Sequence, residues 1–420
     1  MSGYAFYRQI FRDLLLWIPL ALAIGLLGGL ASAVLLVSLE WATQTRVANP
    51  QIIWLLPLGG FAVGYLYHRF GRSIESGSNL LIDEVHNPKA VIPLRMAPLV
   101  LLGTVLSHLF GASVGREGTA VQMAGTFADQ IALWTKRTPE VRRAILMAGM
   151  SAGFAGVFGT PIAGAVFGLE VLALGKMRNN ALFPCLIASL SSDGLVRAIG
   201  VHHTHYAIAS IPVVTLKGLA AVLIAGIVFG LAGKLFAETT HWFARQFKRI
   251  KYQPLRPFIG GLVLSVVVYM TGAYRYIGLG IPSIVESFSQ PLSLFDAPLK
   301  FLFTTFSLGA GFKGGEVTPL FYIGATLGNA LAPLLDMPYP LLAGLGFVAV
   351  FAGAANTPLA SSLMAIELFG AAIAPYALLA CVVAFLFSGH SSIYVAQRLG
   401  AGKGRPIHDE QATTRLSDLN

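Results

Sequence analysis

The chain has 420 residues, of which 55% are hydrophobic and only 11% charged, and its formal net charge is +10. That composition excludes a water-soluble globular domain of this length and places the chain among integral membrane proteins. It also excludes a nucleic-acid-binding protein, because the positive charge lies in short connecting segments with no soluble basic domain to carry it.

In chain order, the first apolar run covers residues 14–39 and follows a short segment, 1–13, holding Arg8 and Arg12. It is too long for the core of a cleavable signal peptide and reads as a first membrane helix. Further apolar runs cover 52–67, 97–110, 144–174, 214–236, 258–269, 341–368 and 374–387. Some suffice to cross about 30 Å of hydrocarbon and others do not, which predicts re-entrant or broken helices. Basic residues gather at Lys136-Arg137, at Arg142-Arg143, within 176–178 and 245–256, and in the tail at Lys403, Arg405 and Arg415. By the positive-inside rule these segments and both termini are expected to be cytoplasmic, and a bacterial inner (plasma) membrane is the expected location. The polar tail, 400–420, is expected to be disordered, with no nucleotide-binding module. Cys185 and Cys381 sit in apolar surroundings and are expected to be buried free thiols.

One stretch breaks the apolar pattern: Gly115-Arg116-Glu117-Gly118-Thr119, directly after the run ending at Phe110. A charged side chain at mid-bilayer costs roughly 3 kcal/mol on insertion scales, so it is usually paired or lines an ion path. Glu117 and Arg116 are neighbours in sequence and do not face each other on a helix, so a simple ion pair does not explain them.

The chain also repeats itself. Glu117-Gly118-Thr119 followed by Gly125 matches Glu316-Val317-Thr318 followed by Gly324. Thr160-Pro161 leading to Glu170 matches Thr357-Pro358 leading to Glu367. Glu117 precedes Thr160 by 43 positions and Glu316 precedes Thr357 by 41. This predicts one transmembrane domain, 14–399, made of homologous halves, about 14–200 and 213–399. Duplicated transporters place their site where such halves meet, at the ends of interrupted helices.

Thr160-Pro161, Thr318-Pro319 and Thr357-Pro358 each offer an N-cap hydroxyl followed by proline at the first helical position. Ser78 and Asn79, with Asp83 and Glu84 expected in the first turn, read as a fourth helix start. Helix starts bring free N–H groups and about half a positive charge, so several aimed at one point hold an anion without a fixed cation. Glu170 and Glu367 read as paired structural residues at helix ends.

Gly115-Arg116-Glu117-Gly118, with the downstream threonine-proline pairs and helix-end glutamates, resembles the CLC family of anion channels and proton-coupled antiporters over nearly the whole chain. The resemblance implies an all-α polytopic fold of two inverted halves with tilted and broken helices, assembled as a homodimer with one pore per subunit. The family's three anion signatures, Gly-Ser-Gly-Ile-Pro, Gly-Arg-Glu-Gly-Pro and Gly-x-Phe-x-Pro, correspond here to 77–81, 115–119 and 315–319. Thr119 and the Glu316–Thr318 variant resemble the fluoride-exporting branch, as does Val171 where chloride exchangers carry a second glutamate. By that resemblance Glu117 is the gating glutamate, Glu316 lies on the proton path, and Ser78, Asn79, Gly115, Arg116, Gly118, Thr318 and Tyr394 surround the anion. Either Ser78 or Asn79 supplies the first-signature ligand.

The implied function is export of fluoride in exchange for inward protons, with chloride transport as the alternative. Fluoride is a strong hydrogen-bond acceptor, so dehydrating it calls for donors such as Ser78, Asn79, Thr318 and backbone N–H groups. An intramembrane enzyme would need a nucleophile with a base at membrane depth. The histidines fall mostly near segment ends or in loops, and no catalytic constellation, cofactor site or metal site is expected. His202, His203 and His205 read as a polar loop between the halves.

Overall fold

The computed structural model describes residues 3–208, 211–403 and 414–418. Helices α1 to α8 are Gly3–Ala48, Leu56–Phe70, Ser78–His86, Met96–Phe110, Glu117–Trp134, Pro139–Phe158, Pro161–Glu170 and Leu182–Ala198. Helices α9 to α16 are Leu216–Lys248, Leu255–Thr271, Ile281–Glu286, Asp296–Ala310, Val317–Leu331, Tyr339–Ala355, Pro358–Phe369 and Ala374–Phe387. Leu14–Ala48, Pro50–Phe70, Pro139–Phe158, Asn179–Ala198 and Leu216–Lys248 are long and apolar enough to cross a membrane. Helices α4, α7, α10, α14, α15 and α16 are apolar but shorter, as the broken apolar runs predict. Helix α1 reaches back to Gly3, so residues 3–13 continue the first helix beyond its apolar span, which starts at Leu14.

The second eight helices repeat the first, displaced by 200 residues at the centre. Helix α4 begins at Met96 and α12 at Asp296; α5 begins at Glu117 and α13 at Val317. Gly111 and Gly311 end α4 and α12 with φ of 100° and 98°, a left-handed turn that favours glycine. Gly115 and Gly315 pair with each other in an antiparallel bridge, N–H to carbonyl at 2.6 and 2.8 Å in the two directions. This register corrects the expected match by one residue: Glu316 is the counterpart of Arg116, and Glu117 that of Val317.

The apolar runs 144–174 and 341–368 break at the threonine-proline pairs, into α6 and α7 and into α14 and α15. The caps differ from expectation. The hydroxyls of Thr160 and Thr357 make no cap bond and have no partner. Each helix start is capped by the glutamate at or near the end of its counterpart: Glu367 accepts the N–H groups of Ile162 and Ala163 at 2.9 and 2.8 Å, and Glu170 those of Leu359 and Ala360 at 3.0 and 2.8 Å. A carboxylate satisfies two orphan N–H groups at once and favours the positive helix end, which one hydroxyl cannot match.

The core sits where α5, α6, α13 and α14 meet. Helix α14 is buried on every face from Leu341 to Ala355, as an all-round apolar sequence requires. Backbones approach through small residues: a Cβ on Gly324 would fall 2.0 Å from the Gly346 carbonyl, and one on Gly346 equally near that of Gly324. Stacked rings fill the space beside them, with Phe321 and Phe347 centroids 3.9 Å apart and Phe154 and Phe167 4.2 Å apart. Cys185 and Cys381 are buried and free.

Of the tail expected to be disordered, 404–413 and 419–420 lie outside the described residues. Residues 414–418 fold back instead: Leu399 donates to the Thr414 carbonyl and Leu416 to that of Gln397, both at 2.9 Å, while Arg415 pairs with Asp83 at 2.9 Å. Two-residue strands β1 (Ala173–Leu174) and β2 (Arg398–Leu399) pair in parallel beside it.

Candidate functional site: a carboxylate at the crossing of the halves

The Gly115–Gly315 bridge brings the starts of α5 and α13 together. Side chains are excluded there: a Cβ on Gly115 would fall 2.7 Å from Glu117 Oε2, and one on Gly315 2.7 Å from the Gly118 nitrogen. Glu117 opens α5 and is 1% exposed. Its Oε2 accepts the N–H groups of Arg116 and Thr318, each at 3.1 Å, and its Oε1 accepts the Thr318 hydroxyl. The Arg116 guanidinium is 3.9 Å away, a loose ion pair.

Helix α13 starts at Val317, two residues earlier than the Thr318-Pro319 pair predicts. Thr318 therefore stands in the first turn with a free N–H, and Glu117 takes it. The carboxylate from one half thus fills the helix-start anion position of the other.

Two cavities flank this carboxylate contact. The wider, about 330 Å³, is lined among others by Ser78, Asn79, Gln122, Lys313, Glu316 and Tyr394. The smaller, about 20 Å³, lies against Arg116, Thr318, Phe321 and the inter-half loop at His203, Thr204 and Tyr206. Arg116 therefore gives its N–H to the crossing while its guanidinium turns to the smaller cavity, where Nε lacks a hydrogen-bond partner.

Helix α3 starts at Ser78 behind Gly77, which has φ 59°. Ser78 Oγ accepts a long bond, 3.4 Å, from Gln122 Nε2. Asn79 Oδ1 accepts the Ala396 N–H at 2.9 Å, holding the segment that carries Tyr394. Tyr394 is 6% exposed and faces the wide cavity. Glu316, half-buried at the N-cap of α13, opens to the same cavity. Asp83 and Glu84 are not in the first turn of α3; they lie towards its far end, where Arg398, Arg415 and Arg142 hold them.

Two residues at the site escaped the sequence reading. Gln122 lies one turn beyond Gly118 and contacts the Gly77–Ser78 start, a spacing that was available as a signal. Thr104, fully buried, bonds Thr119 hydroxyl to hydroxyl at 2.6 Å and ties α4 to α5. The histidine stretch is where a loop was expected, with His203 Nε2 3.0 Å from the Gly156 carbonyl. No His, Cys, Asp and Glu group suited to a metal occurs among the described residues.

A membrane-embedded helical repeat whose halves meet at a carboxylate between two cavities defines an ion-translocating protein. The chain belongs to the CLC family: residues 59–389 match the family model described as voltage gated chloride channel. A chloride/fluoride channel protein of Pseudomonas syringae pv. tomato is 59% identical over 411 residues, covering 96% of this chain and 90% of that protein. A crystal structure of a CLC-type fluoride/proton antiporter superposes with a TM-score of 0.89 at 36% identity, covering 93% of this chain and 99% of the other. A slow cyanobacterial chloride/proton antiporter, at 21% identity and TM-score 0.78, shares the fold, over 88% of this chain and 93% of its own.

Proposed function

We propose that the chain is a fluoride/proton antiporter that exports fluoride in exchange for inward protons. It works as a homodimer with one path per subunit, in the plasma membrane, with both termini cytoplasmic. The observation that carries this reading is the Glu117 carboxylate seated on the Thr318 N–H and hydroxyl, at a place where an anion would bind. When ionised, Glu117 occupies that place and closes the path. When protonated, it loses the charge that holds it to the N–H groups, and an anion replaces it. Proton uptake and anion entry are thereby exclusive alternatives at one position, which is the basis of exchange.

Glu316 in the wide cavity is the second carboxylate for the proton. Ser78, Asn79, Thr318, Tyr394 and the N–H groups around Gly115, Arg116 and Gly118 serve the anion. The donor-rich lining suits fluoride, and the fluoride/proton antiporter of similar fold supports the choice. The retained Ser78 and the mixed chloride/fluoride name of the 59% identical relative support a chloride-moving alternative. Basic segments near the wide cavity, such as Lys248 at its rim, support a cytoplasmic mouth on that side.

Proteoliposomes loaded with fluoride or chloride, with an ion electrode and a pH probe outside, test the proposal. Fluoride release with proton uptake, faster than chloride release, is expected. Equal chloride release overturns the selectivity, and fluoride release without a proton signal makes the protein a channel.

A further inference from the structure

The wide cavity holds a cation for which the gate has no use. Lys313 lies between the ends of α12 and α13 and lines the cavity together with Tyr67 and Glu316. Its Nζ stands 4.0 Å from the centre of the Tyr67 ring. Among the described residues no carboxylate lies within ion-pairing distance of Lys313, and its ammonium has no hydrogen-bond acceptor. The aliphatic stem is accommodated by α4, where a Cβ on Gly103 would already stand 3.1 Å from Lys313 Cβ and Cγ. The counterpart of Lys313 in the first half is Ser113, a neutral hydroxyl bonded to Thr304 at 2.8 Å.

A cation over an aromatic face is attracted by the ring quadrupole, which favours the charged form. In a cavity with low-dielectric walls such a charge concentrates small anions at the mouth of the path. The other titratable groups facing this cavity are Glu75, Glu316, His241 and Lys248. Neither carboxylate is within ion-pairing distance of Lys313; Glu75 attracts it at longer range without bonding it, which leaves the ammonium open to an anion in the cavity.

We propose that Lys313, backed by Tyr67, is an anion-recruiting subsite that takes a small halide from the wide cavity before it reaches the crossing at Glu117 and Thr318. The inference rests on the anion-transport reading of that crossing, and not on the choice of fluoride over chloride.

The test uses Lys313→Cys, modified in detergent before reconstitution with either a trimethylammonium-ethyl or a sulfonato-ethyl methanethiosulfonate. Cys185 and Cys381 are buried, so the introduced thiol is the selective target. At low ionic strength the unmodified variant is expected to raise the half-saturating anion concentration about tenfold with little change in maximal flux. The cationic adduct restores it and the anionic adduct worsens it on the same folded polypeptide. In about 0.5 M potassium gluconate the differences collapse, because the charge is screened. Lys313→Arg behaves as wild type. If both adducts act alike, or if the loss falls on maximal flux with half-saturation unchanged, Lys313 is structural and the proposal is overturned. Fluxes are read with fluoride and with chloride: a wild type moving chloride alone overturns the fluoride reading while the Lys313 effect is read on chloride. A wild type moving neither overturns both.

Discussion

Asp129 and Asn329 stand 200 residues apart at equivalent points of α5 and α13, and each accepts an N–H from the loop before the preceding helix, α4 or α12, from Ile92 at 2.7 Å and from Leu292 at 2.9 Å. Beyond that shared bond the two diverge. Asp129 is clamped by Arg142 at 2.6 and 3.0 Å, while the Asn329 amide donates to the carbonyls of Ser287 and Gln290, both at 2.8 Å. The repeat keeps the backbone geometry and changes the charge around it.

The same holds nearer the site. Val100 lines the wide cavity, whereas its counterpart Lys300 is fully buried and donates to the carbonyls of Tyr276 and Gly278 at 3.1 and 2.6 Å. The first half leaves its α3 start open, and the second fills the corresponding place with an ammonium. At the crossing, Arg116 and Glu117 are the counterparts of Glu316 and Val317, so one half supplies the carboxylate and the other the N–H and hydroxyl that bind it. A symmetric scaffold thus carries asymmetric cavities, wide on one side of the crossing and narrow on the other.

Exchanging residues between halves should expose this difference. Asn329→Asp has the largest expected cost, about 4 kcal/mol, because it sets an unpaired buried carboxylate against two carbonyls. The reverse exchange, Asp129→Asn, keeps the acceptor for Ile92 and should cost about half as much, since it loses the charge-assisted bonds from Arg142. Thermal unfolding in detergent compares the two, and equal losses would mean that the surroundings are interchangeable. Lys300→Met, which strips a donor from two buried carbonyls, should cost about 3 kcal/mol. The homologous change Val100→Met should leave unfolding nearly unchanged.

Glu170→Leu frees two buried N–H groups and should destabilise by about 2 kcal/mol. Glu367→Leu, at a more exposed position, should lose less; hydrogen exchange of the α7 and α15 starts reads each cap separately. The smallest effect, about 1 kcal/mol, is expected for Thr104→Val, which removes the hydroxyl bond to Thr119.

Much of the fold could be read in the chain because prolines and glycines act locally. Thr160-Pro161 and Thr357-Pro358 mark breaks that the structure contains, and Glu117 announces itself as a charge in an apolar stretch. The repeat was legible, but its register was not: the shared Glu-x-Thr spacing outweighed the small residues that set it, Thr104 and Thr304, Ser107 and Ser307, Gly111 and Gly311. The caps from Glu170 and Glu367 were hidden for a different reason. Each spans about two hundred residues, whereas a threonine before a proline offers a local cap that the helix start does not use. Lys313 carries no local mark, since only the packing of Tyr67 and Gly103 around it sets its ammonium in the cavity.

Simultaneous recording of fluoride and proton movement in proteoliposomes, for the wild type and Glu117→Gln, tests most directly whether one carboxylate closes the path and carries the proton. Glutamine retains the size and cannot exchange a proton. Fluoride and proton fluxes linked in the wild type, with proton movement lost in Glu117→Gln, are expected. Proton movement that persists in step with fluoride in Glu117→Gln would contradict the role of the crossing.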